Sequence, residues 1–180
     1  IGTADGRAVM PKELSQQAPA PLVIDADAIH LLAQNKTWLA FLSAGTILSP
    51  HPKEFERLAG KAGNDEDRLT KANDLAVHLR AVVVLKGAYT AICAPDGRVF
   101  FNATGNPGMA KGGSGDALTG IVTGLRAQGL DALSAAVLGV HAHGMGGDLA
   151  AKQIGMDGML PSDLIDQLPA AWRQLRAHER

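Results

Sequence analysis

An α/β layered domain is the fold class this sequence predicts, and three observations carry that prediction. Short apolar, β-branched runs alternate with segments of helical period along most of the chain. The breaks between them are rich in Gly, Pro, Asn and Asp, the residues that punctuate regular structure. The length is 180 residues, about one domain at roughly 150 residues each, and enough to bury about 70% of the unfolded surface. A single domain over residues 1–180 is therefore expected.

Each element has its own warrant. Gln16–Pro21 (QQAPAP) reads as a short turn or linker into Pro21–Asp25, a compact apolar run ending in an acid, which reads as a buried strand. Ala28–Gln34 has a helical pattern. Gly45–Ser49 reads as a second strand, broken by Pro50 and Pro52. Lys53–Ala59 is expected as a helix closed by Gly60. Asn64 is expected to cap a helix running to about Leu79, with Asp65, Glu66 and Asp67 in its first turn. Val82–Lys86 is strongly β-branched, the composition of a central strand. Thr90–Ala94 and Arg98–Phe101 flank Pro95-Asp96-Gly97, which is hairpin chemistry. After a loop over Asn102–Gly113, helices are expected at about 115–127, 131–153 and 162–178. Ser162 reads as the N-cap of the last, with Asp163 in its first turn.

Composition excludes several function classes. Seventeen basic residues stand against eighteen acidic ones, for a net charge of −1. That balance argues against a dedicated nucleic-acid or membrane-surface protein. No apolar run approaches the roughly 20 residues a membrane helix needs. Cys93 is the only cysteine, which excludes an internal disulfide framework and a cysteine-rich zinc site; in an apolar strand it reads as a buried small hydrophobe. Residues 1–20 show no basic segment followed by an apolar core, so no leader is expected and a cytoplasmic location is. The chain starts at Ile1 rather than Met, so its start has been removed or it is a piece of a longer protein. Glycine supplies 21 residues, where a usual share of about 7% would give about 13. Aromatics are 4%. Tight turns and close backbone approaches are expected more than stacking surfaces.

Four stretches carry chemistry. The most informative is Thr104–Gly120, TGNPGMAKGGSGDALTG. A glycine run opens directly into the helical pattern of Ala117, Leu118, Ile121, Val122 and Leu125. Unpaired N–H groups at such a helix start, with the helix dipole, suit a phosphate; a purely structural glycine turn is the other reading. Asp116 falls in the first turn. It either stabilises the helix or takes a proton from a hydroxyl attacking a phosphoryl group. The stretch fits neither G-x-G-x-x-G nor the Walker pattern. The second is Ser49–Glu54 (SPHPKE), where two prolines stiffen a turn around His51 after a strand; Glu54 either holds a Mg²⁺-bound water or caps the next helix. The third is Lys86–Thr90 (KGAYT) at a strand end, able to approach a nucleotide or simply solvated. The fourth is Asp25-Ala26-Asp27, suited to magnesium, to a hydroxyl contact, or to a cap and a turn.

In this order the four motifs resemble the NAD(P)H-hydrate dehydratase family of the ribokinase-like fold. The segments VIDADAIHLLA, ILSPHPKEFERLAG, VLKGAYT and GNPGMAKGGSGDALTGI carry the likeness, and HAHGMGGDLAA and GMLPSDLIDQLP look like the family's closing helices. The likeness covers about residues 22–169. It implies a three-layer α/β/α domain with a mostly parallel central sheet. It implies ADP- or ATP-dependent dehydration of (S)-NAD(P)H hydrate to NAD(P)H, with Mg²⁺ as cofactor. Asp116 is then the catalytic base, and Gly2, His51 and Asp116 contact the hydrate. Lys86, Gly87, Ala88, Tyr89 and Thr90, with Gly112, Gly113, Ser114 and Gly115, contact the nucleotide. Glu54 lies where related kinases carry a magnesium-linked acid. The family domain is usually some tens of residues longer at its N-terminus, so its opening strands and helices are expected to be absent, and relatives commonly form homo-oligomers.

The chain departs from the family at His30, where Asn is common, and at Lys111, where a small neutral residue is common. Lys111 reads as an extra anion contact or as a solvated loop lysine. The alternatives to the dehydratase are a small-alcohol or vitamin-precursor kinase and a non-catalytic nucleotide-binding module. Elsewhere, His141 and His143 are two apart on a predicted helix, face different sides and are expected to share no metal with Asp148. Trp38 and Trp172 are expected on surfaces or at a subunit contact.

Overall fold

The computed structural model describes residues 22–177; Gly2 lies outside the described residues. In chain order the elements are β1 (Val23–Ile24), α1 (Ala26–Gln34), β2 (Ile47–Leu48), α2 (Pro52–Ala59), α3 (Asp65–Leu79), β3 (Val82–Leu85), β4 (Ala91–Cys93), β5 (Val99–Phe101), α4 (Ser114–Ala127), α5 (Ala132–Ile154) and α6 (Pro161–Ala177). The strands form one sheet in the order β1-β2-β3-β4-β5. β1, β2 and β3 pair in parallel across helical crossovers, and β3, β4 and β5 form an antiparallel meander. Four of the five strands therefore point the same way, and the β-branched run at Val82 is the central strand.

Period-2 alternation splits the core into two layers. Ile24, Leu48, Val83 and Cys93 face one side and pack with Ile29, Leu32, Phe55, Leu58, Ala72 and Ala76 of α1–α3. Ile47, Val82, Val84 and Ile92 face the other and pack with Leu118, Val122, Leu125, Ala135, Ala136 and Val140 of α4 and α5. Such fully buried aliphatic side chains contribute about 1.5–3 kcal/mol each through surface removed from water. Helices thus cover both faces, giving the expected three layers. α6 lies against α5, where Gly146 leaves room for Leu164 and Leu168. Cys93 is fully buried, and burial pushes its thiol up to about 11.

The caps follow the sequence closely. Asn64 accepts from the Asp67 amide at 2.8 Å and starts α3. Gly60 ends α2 at φ 92°. α3 ends on Arg80 at φ 51°, the left-handed region, where an L side chain costs about 1–2 kcal/mol and glycine is the common solution. The Arg80 side chain is exposed. Arg80→Gly is therefore expected to stabilise the fold by about 0.5–1 kcal/mol, net of glycine's larger unfolded-state entropy. A urea titration that showed no gain would remove strain at this cap.

One expectation needs correction, and one element was not foreseen. α6 begins at Pro161, and Ser162 is inside the helix rather than its N-cap. Proline presets the first helical φ and has no N–H to satisfy, and the Asp163 carboxylate reaches back to accept from the Leu160 amide at 2.7 Å. Residues Lys36–Phe41 form a 3-10 helix that the sequence pattern did not reveal, since six residues carry no helical period. Trp38 in it packs against the α1–α3 layer, and Trp172 of α6 against the α4–α5 layer.

Candidate active site

A pocket of about 960 Å³ opens along the carboxyl ends of the parallel strands, where ligands bind in open α/β sheets. His51, Lys86–Thr90, Gly112–Gly115 and Asp116 all line it. Motifs spread over 65 residues of sequence therefore meet on one surface.

The glycine loop forms its base. Gly113 precedes α4 in the left-handed region, φ 93°. The Ser114 amide donates to the Lys111 carbonyl at 3.3 Å and the Ala117 amide to the Gly113 carbonyl at 3.1 Å. Among the described residues, nothing accepts from the amides of Gly112, Gly113, Gly115 and Asp116. Donors left open at a helix start are an anion site. Asp116 is exposed in this first turn, and its carboxylate has no partner among the described residues.

A buried ion pair forms one wall. Asp25 Oδ1 accepts from Lys86 Nζ at 2.6 Å, Asp25 Oδ2 from Thr119 Oγ1 at 2.7 Å, and Asp25 Oδ1 also from the Ala26 amide at 2.8 Å. The Asp25 side chain is 8% exposed. Burial raises its pKa, but the bonds from Lys86 and Thr119 and the Lys86 charge outweigh that and hold the carboxyl below the usual range. This network ties the ends of β1 and β3 to α4. It also aims the Lys86 ammonium at the helix start: a Cβ on Gly115 would lie 3.5 Å from Nζ. Asp27 is exposed one turn away, so the two acids of Asp25-Ala26-Asp27 do not share a site. Gly87 and Thr90 close a tight turn, with the Gly87 amide donating to Thr90 Oγ1 at 3.3 Å and that hydroxyl donating to the Gly87 carbonyl at 3.1 Å. Tyr89 projects from it, 73% exposed.

α5 closes the opposite side through His143, whose partner the sequence reading did not name. His143 Nε2 donates to the Ser114 carbonyl at 2.9 Å and lies 3.3 Å from Ser114 Oγ. Burial pushes its pKa down to about 4, with the Lys86 charge adding to that and the Ser114 bond opposing it. Only the fold places residue 143 on residue 114, so no local pattern could have signalled it. The unfolded chain takes up a proton near pH 6.5 that the folded protein refuses until about pH 4. Stability is therefore expected to fall as pH drops through that window. His143→Gln should flatten that part of a urea-midpoint profile against pH; an equally steep drop in both proteins would clear His143. Asp148 fixes the loop above: its carboxylate accepts from the Gly105 amide at 2.9 Å and from Asn106 Nδ2 at 3.0 Å. Among the described residues no group of three or more His, Cys, Asp or Glu side chains is placed to hold a metal ion.

The SPHPKE turn divides its work. His51 lines the pocket and also caps α2: Nδ1 accepts from the Lys53 amide at 3.1 Å and the Glu54 amide at 3.3 Å. Nε2 therefore carries the proton. Glu54 Oε2 accepts from the His51 amide at 2.7 Å, and Oε1 lies 3.4 Å from His51 Nε2. Both oxygens turn back on His51, completing a capping box, and Glu54 is not on the pocket wall. The geometry thus realises the cap and gives no support to Glu54 as a magnesium-linked acid. The Lys111 ammonium is turned to main chain: it donates to the carbonyls of Met159 at 2.6 Å, Asp157 at 2.8 Å and Met156 at 3.4 Å. His30 is off the pocket, with Nε2 3.0 Å from Gln34 Nε2.

Comparison with known proteins shows the family. The family model described as NAD(P)H-hydrate dehydratase matches residues 3–170. The chain belongs to the NAD(P)H-hydrate dehydratase family. A bifunctional NAD(P)H-hydrate repair enzyme of Moorella thermoacetica is 48% identical over 166 residues, covering 91% of this chain and 31% of that protein. The ADP/ATP-dependent NAD(P)H-hydrate dehydratase of Bacillus subtilis, co-crystallized with ATP/Mg²⁺, superposes with a TM-score of 0.75 at 34% identity, over 88% of this chain and 56% of that one. A ribokinase-like superfamily protein of Enterococcus faecalis gives a TM-score of 0.76 at 29% identity, over 97% and 62%. The fold is thus ribokinase-like. The chain spans between about a third and three fifths of the length of these relatives.

Proposed function

We propose that this chain carries the nucleotide-dependent site that dehydrates (S)-NAD(P)H hydrate. One observation carries the reading: an exposed, partner-free Asp116 carboxylate sits in the same helix turn as a set of open backbone amides, inside a pocket large enough for a nucleotide. The hydroxyl of the hydrate is a poor leaving group. Asp116 takes its proton, and the oxygen attacks the terminal phosphoryl group of ADP or ATP, displacing AMP or ADP. The open amides of the glycine loop and the Lys86 ammonium stabilise charge on the phosphoryl oxygens. The ring nitrogen's lone pair then expels phosphate, and loss of a proton from the neighbouring carbon restores the double bond. His51, which lines the pocket, is assigned to the hydrate, and Tyr89 and its neighbours to the nucleotide.

Mg²⁺ fits this site as an ion carried mainly by phosphate oxygens and water, which needs one or two carboxylates at most. Asp116 is the carboxylate free to take part, because Asp25 is occupied by Lys86 and Thr119. When bound, the ion would neutralise charge on the phosphates as the bond breaks. The reading includes a cytoplasmic location, where these cofactors work, and the homo-oligomeric assembly expected of the family. No helix among the described residues is long and apolar enough to cross a membrane.

The test supplies NADH hydrate, Mg²⁺ and either ADP or ATP to the intact protein and follows the return of NADH absorbance. Recovery with one nucleotide establishes the reaction and names the donor. A folded protein that binds nucleotide and recovers no NADH overturns the dehydratase and directs attention to small alcohols as acceptors.

A further inference from the structure

We infer that Lys111 is a positioning residue, a strut that fixes the glycine loop by pinning it to the turn between α5 and α6. The inference rests on the nucleotide site proposed above, since it says how that site's donors are held.

The Lys111 ammonium has three N–H donors, and three backbone carbonyls meet it: Met159 at 2.6 Å, Asp157 at 2.8 Å and Met156 at 3.4 Å. Its hydrogen-bonding capacity is thereby filled by main chain. All three carbonyls lie just beyond the C-terminus of α5, where the helix dipole places partial negative charge. An ammonium there is stabilised, and the same carbonyls left bare beside an anion site would repel a phosphate. The Lys111 main chain is also engaged: its amide donates to the Met109 carbonyl at 2.8 Å, and its carbonyl accepts from Ser114 at 3.3 Å. The residue therefore connects the turn to the first amide of α4.

A second set of contacts shows the same turn seated under the loop. A Cβ on Gly108 would lie 2.7 Å from the Met156 carbonyl oxygen, and one on Gly113 would lie 3.3 Å from Pro161 Cγ. The 155–161 segment thus touches the loop before, at and after Lys111. Gly112, between these contacts, has nothing within 4 Å of where its Cβ would be. The stretch that presents its amides is the stretch left open, and its two ends are held by Lys111 on one side and by His143 through Ser114 on the other. A direct anion ligand would instead leave the carbonyls when phosphate arrives.

The deciding experiment is a ¹⁵N-lysine spectrum of the intact protein with and without ADP. The Lys111 ammonium should give a slowly exchanging signal with couplings across its hydrogen bonds to carbonyl carbons, retained when ADP is added. Loss of those couplings on adding ADP overturns the strut and makes Lys111 a phosphate ligand. The companion measurement is calorimetry of variants. Lys111→Met should weaken ADP binding at least about tenfold, roughly 1.4 kcal/mol, and leave adenosine, which has no phosphate, unaffected. In Lys111→Ala, n-propylammonium, the fragment removed, should restore ADP affinity, and tetramethylammonium, which has no N–H, should not. Wild-type ADP affinity in both variants overturns the inference. If the wild-type protein binds no ADP, the nucleotide reading fails. The strut then stands or falls on the ligand-free ¹⁵N signal and on faster amide exchange at Gly112–Ser114 in Lys111→Met.

Discussion

Asp116→Asn is expected to abolish turnover while leaving ADP bound. A positioned general base is worth about 10²–10⁴ in rate, and Asn keeps the shape without the ability to take a proton. The fold should hardly notice. Asp116 is exposed and bonded to nothing among the described residues, so the change removes only a carboxylate at a helix start, about 0.3–1 kcal/mol. Steady-state kinetics with NADH hydrate, paired with calorimetry for ADP, separates the two effects. Turnover within a factor of a few of wild type would take Asp116 out of the base role.

Gly144→Ala should cost stability where helix propensity alone predicts a gain. Residue 144 is inside α5, and Ala is about 1 kcal/mol better than Gly in a helix interior. Yet a Cβ here would lie 2.2 Å from Thr104 Oγ1 and 2.7 Å from the Thr104 carbonyl carbon. The hydroxyl cannot simply rotate away, because it contacts the His141 carbonyl and Asn102 Oδ1, each at 3.0 Å, and the backbone carbon has no rotamer to change. Overpacking of this kind costs about 1–3 kcal/mol, so the net sign is destabilising. Thr104 and Gly144 both line the pocket, so nucleotide affinity should fall as well. Chemical denaturation showing an unchanged or raised midpoint would mean that the 102–109 loop yields more easily than its contacts indicate.

Local rules explain which parts of the molecule were legible in the sequence. Asn64 and Gly60 act within a turn of their own helices, so residue type and spacing sufficed. The alternation of Val82, Val83 and Val84 across two core layers follows from the strand period, and the glycine run at Gly112–Gly115 marked a helix start with open amides through chemistry that is local. What stayed hidden is what the fold brings from a distance. Lys111 finds carbonyls 45 to 48 residues later, and backbone acceptors leave no mark in a sequence. His143 finds Ser114 29 residues earlier. Glu54 shows the opposite case: a cap on the next helix was one of the two readings its position allowed, and the capping box with His51 is a contact within one turn.

The strands lie in the sheet in the order in which they occur in the chain. During synthesis, each new strand can therefore join an edge already made, without waiting for a partner still inside the ribosome. Chains emerge at about 5–20 residues per second, and a domain generally folds as a unit. Among the described residues the last strand ends at Phe101, whereas α4, α5, the glycine loop and the carbonyls that hold Lys111 all come later. One face of the sheet therefore stays bare until α4 and α5 have left the ribosome, so the second core layer and the pocket are completed in the same stage of synthesis.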